Sequence, residues 1–306
     1  MTLTTCPICN SDQTKIVAPF RHQHPIFTNC SRAECLSCGM GFATPMPSDT
    51  MLTDYNASYF ATAHGGQPTN ATAIAFFSGI ARLRFAFVKR FLNKYQIAID
   101  RVLELGPGPG FFARHWLEAS PHNTYLAVET DVSCHPALQD LGVQLVAVDA
   151  HGPTDLVVMS HVLEHVPYPV AFVQQATQGL RPGGAIFIEV PCQDWAHKQI
   201  DEPHILFFDK PSMHQLLTDL GFVDIEVSYY GQTIRQLQHT SSLRNKLMAI
   251  RVKLVSLGFV APFAKKQVGM EMLTQPLERA MAAPFMAHQE SIEPAWWLRA
   301  VARRRS

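Results

Sequence analysis

From residue 101 onward, short apolar runs alternate with stretches whose apolar positions recur every three or four residues. RVLEL (101–105), TYLAVE (124–129), VQLVAV (143–148), DLVVMS (155–160) and AIFIEV (185–190) are continuous enough to be strands buried on both faces. Between them, FFARHWLEA (111–119), HPALQDL (135–141) and PVAFVQQATQGL (169–180) have helical spacing. This alternation predicts a parallel sheet covered on both sides, a doubly wound α/β body. Ahead of it, residues 72–95 predict a long amphipathic helix with Arg82, Arg84, Lys89 and Arg90 interleaved among its apolar positions. Behind it, PSMHQLLTDLGF (211–222) predicts a helix ended at Gly221, VDIEVSYY (223–230) a further strand, and PAWWLRAVARR (294–304) a last strand.

The first 60 residues break this rhythm, being rich in Cys, Pro and Asn with little periodicity before Met51. Cys6/Cys9 and Cys35/Cys38 form two C-x-x-C pairs separated by 25 residues. Each pair is a turn that presents two thiolates to one cation, so the four predict a closed, structural zinc site. Cys30 is a spare in the same region, and Cys134 and Cys192 read as small buried apolar residues. Three units follow: a zinc module and linker over 1–60, the α/β domain over 61–240, and a helical insertion with the closing strand over 241–306.

Composition narrows the class. Apolar residues make up 47% and charged residues 16% of the 306, the balance of a folded globular chain. Lys plus Arg equals Asp plus Glu at 25 each, so no net field draws nucleic acid. The start has no basic, then apolar, leader, and no stretch reaches the ~20 apolar residues of a membrane span; a cytoplasmic location is expected. Neutrality conceals one asymmetry. Between Glu226 and Glu271 there is no acid, while Arg235, Arg244, Lys246, Arg251, Lys253, Lys265 and Lys266 fall inside. The stretch 241–266 reads either as a solvated or dimer-forming helical insertion, or as a surface for an anionic substrate or an anionic membrane.

The junction VLELGPGPGFFARHW carries the most specific chemistry. Gly106, Gly108 and Gly110 join a strand to a helix, where missing Cβ atoms permit a tight turn and close approach to a ligand. A dinucleotide fingerprint needs a glycine at 111, where Phe111 stands. The pattern is instead acid-x-G-x-G-x-G beginning at Glu104. Glu129 ends the next strand, where a carboxylate can accept both hydroxyls of a ribose, and Asp149 ends the strand after that, placed toward an adenine amino group.

Glu104 to Gly110, Glu129 and Asp149 resemble the first three motifs of class I methyltransferases, over roughly residues 76–230. The resemblance implies a Rossmann-like sheet of seven strands and S-adenosylmethionine as methyl donor. The glycine loop would carry its methionine half, Glu129 the ribose and Asp149 the adenine, with His161 beside the donor.

The segment SHVLEHVPYP after the fourth strand resembles the E-H-V-P segment of many small-molecule methyltransferases. It places His161, Glu164 and His165 at the ligand-binding edge of the sheet; a packing role for the segment is the alternative. Methyl transfer is an in-line displacement that often needs a base, and histidine titrates near neutrality. His161, His165 and the more distant His204 in DEPHILFF are the candidates. His161, Glu164, His165 and His204 also resemble the E-x-x-E-H metal set of small-RNA methyltransferases, but His161 stands where its first glutamate belongs.

The stretch from Cys35 through Tyr55 and Tyr59 resembles the linker of sugar C-methyltransferases and of enzymes from polysaccharide and natural-product clusters. That resemblance puts Tyr55 and Tyr59 over the substrate pocket, with packing of a connecting helix as the alternative. It implies a small-molecule acceptor, a sugar, nucleotide-sugar or related intermediate. The chain is too short for the additional C-terminal domain of the sugar enzymes. An RNA-modifying methyltransferase and a non-catalytic donor-binding protein are the other readings.

Overall fold

The computed structural model describes residues 5–55, 71–239 and 290–305, with positions 246, 250, 253 and 254. Tyr59 and most of the expected insertion, including 241–266 apart from those positions, lie outside the described residues.

The central sheet is built from β4 (Arg101–Leu105), β5 (Thr124–Val128), β6 (Gln144–Leu145), β7 (Thr154–Ser160), β8 (Leu180–Pro191), β10 (Phe222–Thr233), β11 (Glu290–Ser291) and β12 (Ala295–Arg304). Their order is β11-β10-β12-β8-β7-β4-β5-β6. The pairs from β8 through β6 are parallel, whereas β12 runs antiparallel to both β8 and β10. The sheet therefore has eight strands instead of the seven expected; β11 adds two residues beside Tyr229 and Tyr230.

Helices α1 (Ala71–Lys94), α2 (Phe111–Ala119), α3 (His135–Asp140), α4 (Pro169–Ala176) and α5 (Lys210–Asp219) cover the sheet. Alternate strand residues supply two cores, as the period of two requires. Val102, Leu156, Val158 and Phe187 pack with Ile80 and Phe91 of α1 and Trp116 of α2. Leu103, Val157, Met159, Ile186 and Ile188 pack with Val173 of α4 and Leu216 of α5. Trp116 is buried without losing its donor, because Nε1 bonds Asn123 Oδ1 at 2.9 Å.

From β4 the chain winds outward to β5 and β6, then returns across β4 to β7. The strand order reverses between β4 and β7, which opens a crevice at their carboxyl ends. The loops leaving these strands carry the glycines and His161.

The N-terminal sheet contains β1 (Thr14–Pro19), β2 (Ser31–Cys35) and β3 (Gly41–Thr44), all antiparallel. Its fourth strand, β9 (Leu206–Phe207), comes from far along the chain, pairing Gly41 with Phe207 and Phe42 with Leu206. Its apolar side joins the core that holds α5.

Candidate active site

The glycine loop has the backbone its sequence demands. Gly106, Gly108 and Gly110 have φ of +64°, +55° and +76°, a region side chains rarely adopt. A Cβ on Gly106 would lie 2.6 Å from Val162 Cγ2, so the loop packs directly on the segment after β7. A Cβ on Gly108 would meet nothing within 4 Å, leaving space above the turn. Glu129 stands beside it, its Oε2 accepting from Gly108 N at 2.7 Å and its Oε1 from Asp131 N at 2.8 Å.

Glu104 is 3% exposed at the end of β4 and accepts a 2.6 Å bond from the Tyr125 hydroxyl. Burial pushes its carboxyl up to about 7, against the opposing pull of the tyrosine bond and Arg84. Asp149 lies elsewhere than expected. β6 stops at Leu145, and residues 147–150 turn back on themselves with Ala150 N bonded to Ala147 O at 3.0 Å. Asp149 is exposed in this turn and not at a strand end. An edge strand paired on one side only leaves before its apolar run is used up.

His161 adopts φ +57° immediately after β7, held by its N–H on Glu189 O at 2.8 Å. Its ring lies between two buried carboxylates, Nδ1 at 3.2 Å from Glu164 Oε1 and Nε2 at 3.2 Å from Glu189 Oε1. Burial works against charge on this ring, but the two carboxylates outweigh it and raise the imidazole pKa. Glu189, wholly buried in β8, also takes Arg84 Nη2 and Arg299 Nε at 2.5 Å each. Burial would raise its pKa, yet the two guanidinium groups hold it well below the usual carboxylate range. Glu164 is likewise buried, and the neighbouring imidazoles overcome its desolvation and hold it at about 2.

His165 differs from His161. Burial lowers its pKa to about 4, and its Nδ1 lies 3.3 Å from Pro203 O. Its ring meets His204 edge-on at 5.0 Å. His204 in turn has Nδ1 only 2.5 Å from Asp194 Oδ2, with Lys198 Nζ 2.9 Å from the same oxygen. Burial would raise the Asp194 pKa, but His204 and Lys198 hold it far below the usual value. Glu164, His165 and His204 each offer a polar atom within 4.8 Å of the others, and Ile205 N bonds Glu164 O at 3.0 Å. His165 and His204 are thus brought together across 39 residues, and His161 meets the same Glu164 while its other ring nitrogen faces Glu189.

Cys6, Cys9, Cys35 and Cys38 place their sulfurs within 4.8 Å of one another, a donor set that fits one tetrahedral cation. Cys30 points instead to Pro45 O at 3.3 Å. Tyr55 packs edge-on to His24 at 4.9 Å and Phe27 at 5.3 Å, inside the module. It belongs to this aromatic core.

Asp194, Lys198, Glu189, Arg84 and Arg299 went unassigned in the sequence. Glu189 had one signal, a charged residue inside the otherwise apolar AIFIEV.

A methyltransferase-domain family model matches residues 76–227. No curated protein sequence matches. Among solved structures, a possible histamine N-methyltransferase from Thermotoga maritima is 13% identical, with 83% of this chain and 96% of that chain covered and a TM-score of 0.46. The plantazolicin methyltransferase BpumL bound to a triazolic desmethyl analogue and SAH is 13% identical, over 84% and 94%, at 0.46. Coclaurine N-methyltransferase is 16% identical, over 72% of each chain, at 0.43. Likeness at this level does not extend to the acceptor. The family match is what identifies the domain: residues 76–227 belong to the methyltransferase-domain family, and the chain is a class I methyltransferase.

Proposed function

We propose that this enzyme transfers a methyl group from S-adenosylmethionine to a small-molecule acceptor, with His204 as general base. The observation that carries the base assignment is the Asp194–His204 pair. With Nδ1 committed to Asp194, the Nε2 lone pair of His204 is left to take a proton. His161 is unsuited to that role, because both of its ring nitrogens face carboxylates and neither is left to take a proton from an acceptor. His165 is neutral and a weak base, and it packs on the edge of His204.

The donor would sit over Gly106, Gly108 and Gly110 with its ribose on Glu129, now satisfied by Gly108 N. The open space at Gly108 supports that placement. His161 would lie beside the donor, and Asp149 would reach adenine only from its exposed turn. Transfer breaks the sulfonium–methyl bond and forms one bond from the acceptor atom to the methyl carbon, and the acceptor's proton passes to His204.

The acceptor we favour is a sugar, nucleotide-sugar or related biosynthetic intermediate, on the motif resemblance of the 35–59 linker, with Tyr59 near it. Cys6, Cys9, Cys35 and Cys38 would bind structural zinc, dividing the chain into a module over 1–60, a catalytic domain over 61–240 and a remainder over 241–306. A cytoplasmic setting is consistent with seven free cysteines, and no helix among the described residues is long and apolar enough to cross a membrane.

Methyl-tritiated donor incubated with the full chain and a fractionated extract of the source organism tests this reading. Label in the acid-soluble fraction is expected. Label in RNA would make it an RNA-modifying enzyme, and binding of donor with no transfer would make it a non-catalytic binding protein.

A further inference from the structure

Asp194 and His204 are ten residues apart on irregular backbone, relieved only by a single turn at Asp194–Ala196. No strand ladder or long helix fixes their separation. One residue of the N-terminal module does. Arg21, two positions after β1, reaches both arms of this loop. On the Asp194 arm, Nη2 donates to Trp195 O and Nη1 to Lys198 O, both at 2.8 Å. On the His204 arm, Nε and Nη2 donate to Asp201 Oδ1 at 3.1 and 2.5 Å.

The main chain closes the same joint. Arg21 N donates to Asp201 Oδ2 at 2.8 Å, and Asp201 N to Arg21 O at 2.7 Å. Asp201 is 1% exposed, and its own carbonyl accepts from His204 N at 3.1 Å. Next to it, the Glu202 carboxylate receives Gln23 N and His24 N, each at 3.1 Å. Beyond His204, Ala43 N donates to Ile205 O at 2.8 Å and β3 pairs with β9. The module thus grips the loop on either side of the histidine.

We propose that Arg21 is a positioning residue for methyl transfer: by tying Trp195, Lys198 and Asp201 to one planar guanidinium, it sets the Asp194–His204 distance and the aim of the base. The inference rests on His204 being that base. It gives the cysteine module a part in turnover that a folding role alone does not provide. A guanidinium suits the task because its five donors lie in a rigid fork that spans both arms, which a lysine ammonium cannot reproduce.

The test uses the full chain carrying Arg21→Met, which keeps the apolar stem, and Arg21→Lys, which keeps the charge. The readout is the low-field proton resonance of His204 Nδ1, assigned by its absence in His204→Gln, and the pH titration of the same ring. Both Arg21 variants are expected to shift or broaden that resonance and move the titration. Turnover should fall by about 10- to 100-fold, the order expected from displacing a catalytic group by about 1 Å. Calorimetric Kd for S-adenosylmethionine should stay within about twofold, since the glycine loop is untouched, and the metal content of the module should be unchanged. If Arg21→Met does not fold, Arg21→Lys carries the same expectation. An unchanged resonance and titration in a folded variant overturns the positioning role. Full turnover by His204→Gln overturns instead the base reading on which it rests.

Discussion

His204 Nδ1 lies 2.5 Å from Asp194 Oδ2, with both side chains almost fully buried. A carboxylate so placed occupies one ring nitrogen, and the proposed base role falls to the other. Asp194→Asn keeps the shape and removes the charge. Turnover is expected to fall by about 100-fold or more, within the range general-base catalysis contributes. Single-turnover methyl transfer in the two proteins, with donor Kd measured alongside, checks this; an equal rate would remove the pair from the mechanism.

Glu129 is the donor-side counterpart. Its carboxylate already accepts two main-chain N–H groups at the mouth of the glycine loop. Glu129→Ala should weaken S-adenosylmethionine binding by about 30- to 100-fold, the loss of hydrogen bonds to a charged group worth roughly 2–3 kcal/mol. Titration calorimetry gives the number. Affinity equal to that of the unmodified chain would place the ribose elsewhere.

Glu104 makes stability depend on pH. Its rise from 4.5 to about 7 corresponds to roughly 3 kcal/mol. Below pH 4.5 the carboxyl is neutral in folded and unfolded chains and costs nothing. As pH rises through about 7 the unfolded chain releases the proton more readily, so this contribution to stability falls and then levels off. Denaturant unfolding of the original chain and Glu104→Gln at pH 5 and pH 8 should show the original losing stability relative to the variant. Parallel behaviour would mean that Glu104 is ionised at neutral pH.

The four sulfurs at the N-terminus predict dependence on metal. Chelation should lower Tm by about 5–10 °C or more, as loss of a structural site does. Because β3 and Arg21 hold the His204 loop, the same treatment should slow turnover more than it weakens donor binding. Stability that ignores removal of measured zinc would leave the cysteines with a packing role only.

Local features carried much of this protein in its sequence. Strand and helix order followed from the apolar period, because the central strands β4, β5, β7 and β8 are buried on both faces over most of their length and must read as continuous runs. The glycine loop was legible because a positive φ at three alternating positions excludes nearly every other residue. The paired cysteines were legible because two tight turns are enough to present four thiolates. The tertiary structure decided what those features could not. Asp201 meets Arg21 across 180 positions, and Glu189 meets Arg84 across 105. Such partners leave no period in the sequence, since a lone charge in a loop or strand looks the same whether or not a counter-charge is folded against it. Spacing likewise could not choose among His161, His165 and His204. Only the fold put two carboxylates on the first, burial beside a backbone carbonyl and a second imidazole on the second, and a single carboxylate on Nδ1 of the third. Those surroundings raise the pKa of the first, lower that of the second, and leave Nε2 of the third as the atom on which the proposed base role rests.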